Sequence, residues 1–393
     1  MSKEEMDQAL EEAQWQAGPI RLAPWIGLRD LSWNDNPRAT PEGEDAEGDV
    51  SMTAGAGLRA YLPTGPDVYW AAHALPEYVW YADQTDRRRL NGRYGAGVFG
   101  FFNRLTLEAT AQRIDELGIL TAEVPEQANS REDRLSLGGE VELGFSTSVF
   151  AQAETGEIRT LLDEEERESG PALQRLDRDQ DRLRAGLRYR PRERWTFSLG
   201  MEWTETRVLN EEQDLSSSGE APLAEISYRG PKFFASVESQ LRSLEPEGDS
   251  IFPATEATTY ALRLGLEGNR LSPTLYAHQS LALAISQDYS HFETQAVGVA
   301  MSLSLGHRTK LSVFAEAGRS DFTALSAEVP TREDDLTAFG GDLSISLGRF
   351  LSFRLGGYRA EFDSNLPGED RSLSVLSTGV SLGISGDDGP GWP

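Results

Sequence analysis

The chain has 393 residues, of which 38% are hydrophobic, and its 64 Asp and Glu outnumber its 37 Lys and Arg to give a formal net charge of −27. This charge excludes a simple nucleic-acid-binding protein, which needs a basic surface, and no segment approaches the roughly 18 apolar residues of a membrane-spanning helix. The chain has no Cys, so disulfides and thiolate chemistry are excluded as well.

The N-terminal segment predicts a short helix. Residues 4 to 16 have apolar side chains at helical spacing, with Met6, Leu10 and Ala13 on one face. A frayed leader and a helix resting at or in the mouth of a barrel both fit this pattern. The first six residues lack the apolar core of a signal peptide. For an exported protein, we therefore expect that the signal peptide is absent from this numbering.

From Ile20 onward the sequence alternates with a period of two, which indicates β-strands because successive side chains leave a strand on opposite faces. Between residues 294 and 305, Val297, Val299 and Met301 fall on one face, whereas the other face carries Ala, Gly and Ser. Long strands with one apolar face and one small or polar face favour a barrel that lies in lipid and encloses water over a soluble β-sandwich.

About eighteen such strands are predicted, and sixteen is the alternative count. Short turns alternate with longer, acidic connections, a pattern typical of outer-membrane barrels with short periplasmic turns and long extracellular loops. The predicted strands cover residues 20–35, 50–62, 67–82, 88–101, 104–119, 133–146, 148–162, 178–190, 194–209, 221–230, 232–244, 256–268, 272–286, 292–306, 309–323, 335–348, 350–363 and 371–385. The predicted long loops are 36–49, 120–132, 163–177, 210–220, 245–255, 324–334 and 364–370.

These patterns predict an all-β fold, a transmembrane antiparallel up-and-down β-barrel. The barrel is expected to span residues 20–386, between a periplasmic N-terminal leader at 1–19 and a C-terminal tail at 387–393. Aromatic residues near the strand ends predict two interfacial girdles. The girdle beside the short turns is Phe101, Phe102, Phe145, Trp195, Phe233 and Phe350, and the one toward the long loops is Trp33, Trp80, Tyr81, Trp203, Phe322 and Phe362.

Charged residues on the strands share the face opposite to the apolar one. A charge that points at hydrocarbon costs roughly 2–4 kcal/mol at mid-depth, so we expect these side chains to line the lumen. A salt-bridged wall that stiffens the barrel and a polar track that binds a passing hydrophilic solute or polymer both fit. The predicted lumen-lining residues are Arg59, Glu108, Arg134, Glu140, Glu142, Arg182, Arg184, Arg188, Arg190, Glu202, Glu238, Arg242, Arg263, Glu267, Glu316, Asp342 and Arg354.

No catalytic, cofactor-binding or metal-binding residues are predicted. His278 and Ser280 share one strand face, but side chains at this spacing lie about 7 Å apart, too far for direct proton transfer. His291, at a loop edge, and His307, in a tight turn, are both expected to be exposed. The sequence has no HExxH, GxSxG or P-loop motif. We therefore expect a protein that is not an enzyme and has no cofactor.

The first strand carries a family resemblance. The segment Ile20-Arg21-Leu22-Ala23-Pro24-Trp25-Ile26-Gly27-Leu28, which runs on into Trp33-Asn34-Asp35-Asn36, resembles the opening of the β-barrel porin 2 group. The resemblance implies an outer-membrane barrel, and several members of that group are associated with exopolysaccharide export.

The sequence thus favours a passive hydrophilic pore in the outer membrane of a Gram-negative bacterium, with polysaccharide export as the first expectation. A general or substrate-selective diffusion porin for small solutes is one alternative, and a barrel that anchors or binds a partner protein is another. The expected partners are outer-membrane lipid or lipopolysaccharide, the hydrophilic solute or polysaccharide itself, and a periplasmic export partner, without any nucleic acid.

Overall fold

The computed structural model describes residues 2–42, 45–119, 127–161, 177–209, 214–284, 286, 288–348 and 351–383. Across these ranges the chain forms one α-helix, one 3-10 turn and nineteen β-strands. No helix in the described part of the chain is long and apolar enough to cross a membrane. The predicted loop at 163–177 and the tail at 387–393 lie outside the described residues, except for Asp177.

The N-terminal helix, α1, spans Lys3–Glu12. It begins with a capping box, in which the Ser2 hydroxyl accepts from the Glu5 backbone N–H and the Glu5 carboxylate accepts from the Ser2 backbone N–H. The sequence predicted four further residues of helix. The chain instead turns extended at Ala13 and forms β1, Trp15–Ala17, which pairs with the start of the next strand because Gly18 provides a tight turn at φ +62°.

The remaining strands, β2 to β19, are 12 to 16 residues long. Each begins within six residues of its predicted start, and the largest difference is at β7, which starts at Gln127 rather than at 133. Their bounds are β2 Ile20–Asn34, β3 Asp49–Pro63, β4 Val68–Tyr81, β5 Arg89–Phe101, β6 Leu105–Ile119, β7 Gln127–Glu142, β8 Thr147–Thr160, β9 Arg178–Arg192, β10 Trp195–Val208, β11 Ser217–Arg229, β12 Phe233–Pro246, β13 Thr255–Leu266, β14 Leu271–Leu283, β15 Tyr289–Ser304, β16 Thr309–Ala324, β17 Glu333–Ser346, β18 Leu351–Ser364 and β19 Arg371–Gly383.

The strands β2 to β19 close into a barrel. Each pairs antiparallel with its neighbour in sequence, and β19 pairs with β2 from Val375↔Asn34 to Gly383↔Trp25. Among the described residues the barrel therefore has eighteen strands, which confirms the predicted fold class. A closed sheet has no edge strand, because every strand has a paired neighbour on both sides.

The two ends of the barrel differ in the length of their connections. At one end the turns have two to four residues, for example 193–194 between β9 and β10. At the other end the connections are longer, for example 325–332 between β16 and β17. We call these the turn end and the loop end.

The inner face of the wall is identified by contacts that skip a strand. Glu140 on β7 bonds Arg188 and Arg190 on β9 at 2.5 and 2.7 Å, with β8 between them. Only the concave side of a closed sheet brings non-adjacent strands this close. On the same strands Leu183 and Leu187 point the other way and are exposed, so the apolar face is the outside, as the alternation predicts.

The aromatic girdles are only partly as predicted. The register places four of these side chains on the inner face: Tyr81, Phe101, Phe322 and Phe362. Each lies an even number of residues from an inward-facing residue of its own strand. Tyr81 and Phe322 are buried, and Phe101 packs against α1. The predicted girdle was therefore wrong for these four residues, since closeness to a strand end was counted without the side of the strand. Phe350 lies outside the described residues.

Candidate functional site

The candidate site is the barrel interior, and the register places nearly all of the predicted charged residues on its wall. Glu267 is the exception, because it follows the end of β13 in the turn 267–270. The inward residues on the strands are Arg59 on β3, Glu108 on β6, Arg134, Glu140 and Glu142 on β7, Arg182, Arg184, Arg188 and Arg190 on β9, Glu202 on β10, Glu238 and Arg242 on β12, Arg263 on β13, Glu316 on β16, Asp342 on β17 and Arg354 on β18.

The inner face of β7 to β12, which we call the ionic wall, is a continuous network of charges. At its centre lies Glu202, whose side chain is only 4% exposed and bonds Arg242 on β12 at 3.1 Å. Arg182 on β9 lies 4.0 Å from the same carboxylate. Arg182 also lies 3.7 Å from Glu154 on β8, so two acids bracket this arginine.

The same network extends to both sides of this centre. Arg184 on β9 bonds Glu238 on β12 at 2.7 Å and so spans three strand spacings. Toward the turn end, Arg188 contacts Glu140 and also lies 4.9 Å above the ring of Phe150, a cation–π geometry. Four inward arginines of β9 thus each contact an acid on another strand, and these contacts link the strands across the curved wall. They are Arg182, Arg184, Arg188 and Arg190.

The sequence-based list missed part of this network. Glu132, Glu154 and Glu225 belong to it: Glu132 bonds Arg134, Glu154 lies 3.7 Å from both Arg134 and Arg182, and Glu225 accepts from the Ser198 hydroxyl at 3.1 Å. Glu154 and Glu225 face inward on β8 and β11, so counting every second residue along the predicted strands 148–162 and 221–230 would have found them. Glu132 faces inward on β7, but the sequence placed it in the loop 120–132.

The inner face of β13 to β19, which we call the hydroxyl wall, has a different composition. It consists mainly of Ser, Thr, Ala and Gly, and hydroxyl pairs bridge its strands, as for Thr294 and Ser320 at 2.9 Å. Its acid–base pair Asp342 and Arg354 is loose, with 3.8 Å between the charged atoms and Arg354 more than half exposed. Small side chains leave this side of the interior open.

Among the aromatic side chains of the hydroxyl wall, Tyr276 has the closest fit to a glycine. Tyr276 on β14 lies flat over Gly298 on β15, where an added Cβ would come within 2.3 Å of the ring. This position brings the phenol toward the carboxylate of Glu316 on β16. Glycine at 298 is therefore required by the close approach of the ring.

The helix α1 occupies the interior at the turn end. Met6 is fully buried among Tyr61, Tyr69 and Phe99, which are inward residues of β3, β4 and β5. The Tyr69 hydroxyl donates to Asp7 at 3.1 Å, and the Lys3 ammonium donates to the Pro66 carbonyl at 3.0 Å. A helix with its side chains is about 10–12 Å wide, so α1 narrows this mouth. The sequence allowed either a frayed leader or a helix at or in the mouth of a barrel, and the structure shows the helix in the mouth.

The loop end is held by buried contacts. Arg332 bonds Asp334 at 2.7 Å and stacks on Phe322 at 4.5 Å, so the connection 325–332 is held against the wall. His291, predicted to be exposed, is only 2% exposed. The prediction was wrong because Phe252, from the connection 247–254, packs on the imidazole at 5.3 Å.

The described residues do not assemble a metal-binding cluster of His, Asp and Glu. His278 and Ser280 lie two residues apart on the inner face of β14, as expected from their parity. The chemistry that the interior offers is therefore hydrogen bonding and charge, with paired ions on one side and hydroxyls on the other.

Comparisons with known proteins bear on the fold. Neither a protein-family model nor a curated protein matches the chain. The crystal structures that align with it over nearly their full length include Acinetobacter baumannii OccAB3 (TM-score 0.54, 10% identity, 92% of this chain and 99% of that one), a BenF-like porin from Pseudomonas fluorescens Pf-5 (0.54, 10%, 92% and 98%), and Pseudomonas aeruginosa OccK2 (OpdF) in complex with glucuronate (0.53, 11%, 93% and 98%). At these identities the likeness shows a shared barrel fold.

Proposed function

We propose that this protein is a diffusion porin for small hydrophilic solutes in a bacterial outer membrane. The observation that carries the proposal is the contrast between the two faces of the wall. Leucines and valines are exposed on the outside, where only lipid would remove them from water. The inside carries paired charges and hydroxyls, and barrels of 16 to 18 strands leave room for an aqueous channel.

The proposal includes an orientation. The turn end, with α1, lies in the periplasm, and the loop end with its acidic connections lies at the cell surface, the arrangement of outer-membrane barrels. Export of a polysaccharide, the first expectation from the sequence, has no support in the lining or in the similar structures. The alternative of a porin for small solutes is better supported, because the similar folds include a BenF-like porin and a structure bound to glucuronate.

The lining suggests which solutes should pass well. A solute in the interior meets arginine donors on the ionic wall and hydroxyls on the hydroxyl wall. A small molecule that carries both a carboxylate and hydroxyl groups can bond to both walls at once. Sugar acids such as glucuronate are therefore the first solutes to test.

Reconstitution in planar bilayers and liposomes tests the proposal. We expect stable ion conductance, and liposome swelling that is fast with glucuronate and slow with an oligosaccharide of seven hexoses. Conductance should rise when residues 2–12 are deleted, because α1 narrows the turn end. A barrel that conducts neither before nor after this deletion would contradict a porin and favour an anchoring role.

A further inference from the structure

At the loop end of the barrel, two neighbouring strands are not paired with each other. β13 and β14 pair from Gly265↔Thr274 to Tyr260↔Gln279 and no further. This is the shortest ladder between neighbouring barrel strands in the described part of the chain. Residues 255–259 of β13 and 280–283 of β14 are thus unpaired with each other, and we call this opening the β13–β14 gap.

The strands themselves continue past the gap. β13 stays paired with β12 as far as Leu244↔Thr255, and β14 stays paired with β15 as far as Leu283↔His291. The gap is therefore a separation of two intact strands rather than the fraying of their ends. Both strands keep unpaired backbone N–H and C=O groups on the sides that face each other.

A cavity of about 260 Å³ lies in the gap. Its lining includes Gln240 and Arg242, which face the interior, and Tyr260 and Leu281, which face outward. Residues of both faces of the sheet therefore line the cavity, which lies where the two strands separate. Glu238, which bonds Arg184 at 2.7 Å, lines it as well.

The gap begins where the outer face of β13 changes from apolar to polar. Below it the outward residues of β13 are leucines, including Leu262 and Leu264, whereas Thr258 and Glu256 follow Tyr260 within the gap. On β14 the outward Gln279 donates to Glu293 on β15 at 2.9 Å, and the apolar face resumes at Leu281. Unpaired backbone groups cost several kcal/mol each in hydrocarbon, but at the interface water and headgroups can satisfy them.

We propose that the β13–β14 gap is a binding site for a single-chain amphiphile with a carboxylate headgroup, which enters from the membrane. Its alkyl chain lies along the outward leucines of β13 and β14, and its headgroup occupies the gap. The cavity is smaller than the 300–1,000 Å³ of drug-sized pockets, so it accommodates a compact headgroup while the chain stays in the bilayer.

Arg242 supplies the chemistry for a carboxylate. Its Nη2 bonds Glu202 at 3.1 Å and Gln240 at 3.2 Å, and its Nε bonds Gln240 at 3.2 Å. None of these contacts uses Nη1, so the guanidinium keeps donors for a further oxygen. Thr259 and Ser280, at the first unpaired position on either strand, line the same cavity and add hydroxyl donors to it.

Photolabelling of the full-length protein in phosphatidylcholine vesicles tests the site. The probe is a dodecanoate with a diazirine near the end of its chain, and adducts are mapped by mass spectrometry. We expect adducts concentrated on the outward residues of β13 and β14, and no such preference with a diazirine-labelled dodecanol. Adducts spread evenly around the barrel, or equal labelling by the alcohol, would overturn the proposal.

A tryptophan placed in the gap tests the same site, and a tryptophan at a paired position of the inner face is its matched control. Ser280→Trp should abolish the preference for β13 and β14, whereas Ser312→Trp, on a fully paired inner face, should leave it unchanged. Persistence of the preference in Ser280→Trp would overturn the site. If that variant does not fold, the distribution of adducts on the protein without substitutions still tests the site. Labelling does not require conduction, so this result is independent of the porin proposal.

Cysteine pairs test the opening itself, since the chain has no Cys of its own. Ser302 and Ser312 are register partners on a continuous ladder, with hydroxyls 3.4 Å apart, so the pair S302C/S312C is within reach of a disulfide. The pair T259C/S280C spans the gap and should remain reduced under the same mild oxidation. Equal disulfide formation in both pairs would show a closed seam and overturn the proposal.

Discussion

The two walls of the interior use one backbone architecture and one kind of outer surface, but they are built from opposite chemistries. On the ionic wall, long charged side chains on β7 to β12 hold each other across skipped strands, as Arg184 and Glu238 do. On the hydroxyl wall, Ser and Thr pairs such as Thr294 and Ser320 bond only to their direct neighbours. The barrel therefore concentrates its ionic network on β7 to β12 and its small and hydroxyl side chains on β13 to β19.

The difference shows that backbone pairing between strands and the apolar outer surface are enough to define the barrel. The side-chain composition of the inner face can therefore vary. Backbone pairing continues on both sides, apart from the β13–β14 gap, and the outer face is apolar on both sides, so neither wall needs its inner side chains to form strands. The ionic wall fixes its side chains by mutual bonds and is expected to be rigid. The hydroxyl wall has mostly small side chains, and its larger ones pack on particular neighbours, as Tyr276 does on Gly298.

The largest effect is expected from removing the centre of the ionic wall. Glu202→Ala leaves Arg242 and Arg182 without the acid that lies between them. Loss of one partner of a buried ion pair costs roughly 3–5 kcal/mol, so the free energy of unfolding in vesicles should fall by about that amount. The reversal potential under a salt gradient should also shift toward anion selectivity. An unchanged unfolding curve would contradict a network centred on Glu202.

The next effect is expected on the hydroxyl wall. Gly298→Ala forces the Tyr276 ring away, because the new methyl would lie 2.3 Å from it. Overpacking of this kind costs about 1–3 kcal/mol, and the Tyr276 hydroxyl should move away from Glu316. The double variant Gly298→Ala with Tyr276→Ala should recover most of the cost that the glycine substitution adds. Urea unfolding of the two variants and of Tyr276→Ala alone measures this, and equal additive losses would contradict the close packing.

A smaller effect is expected from the pair that spans the ionic wall. Arg184→Gln and Glu238→Gln each remove the charge from one end of a 2.7 Å ion pair that is partly open to the lumen. A double-mutant cycle should give a coupling of about 1 kcal/mol, because charged hydrogen bonds contribute roughly 1.5–3 kcal/mol and water in the lumen screens this one. A coupling near zero would mean that the two side chains do not hold each other in the membrane.

The smallest effect is expected from the ion pair of the hydroxyl wall. Arg354→Gln removes a contact of 3.8 Å by a side chain that is more than half exposed. Exposed ion pairs contribute less than about 1 kcal/mol, so stability should change by only a few tenths of a kcal/mol. A loss as large as that of Glu202→Ala would erase the distinction between the two walls.

The fold could be predicted from the sequence because each strand carries the same two signals. Strict alternation fixes the strands and the faces, and the short turns between predicted strands fix their ends to within a few residues. The charged lining followed from the same parity, as the placement of Arg182, Arg184 and Arg188 on β9 illustrates.

Features that depend on the third dimension could not be predicted. Which acid each arginine bonds depends on the curvature of the wall, since Arg184 reaches Glu238 over two intervening strands. The burial of His291 depends on a connection that is distant in sequence. The β13–β14 gap leaves no mark in the alternation, because both strands continue past it.

Cysteine accessibility along β15 tests the central claim most directly, that the interior is wet and the outside lies in lipid. Ala300 and Ser302 face inward, whereas Val299 and Met301 face outward. We predict that a charged, membrane-impermeant thiol reagent modifies A300C and S302C and reduces the single-channel current, but leaves V299C and M301C unmodified in bilayers. Modification of the outward pair alone, or of all four alike, would contradict the claim.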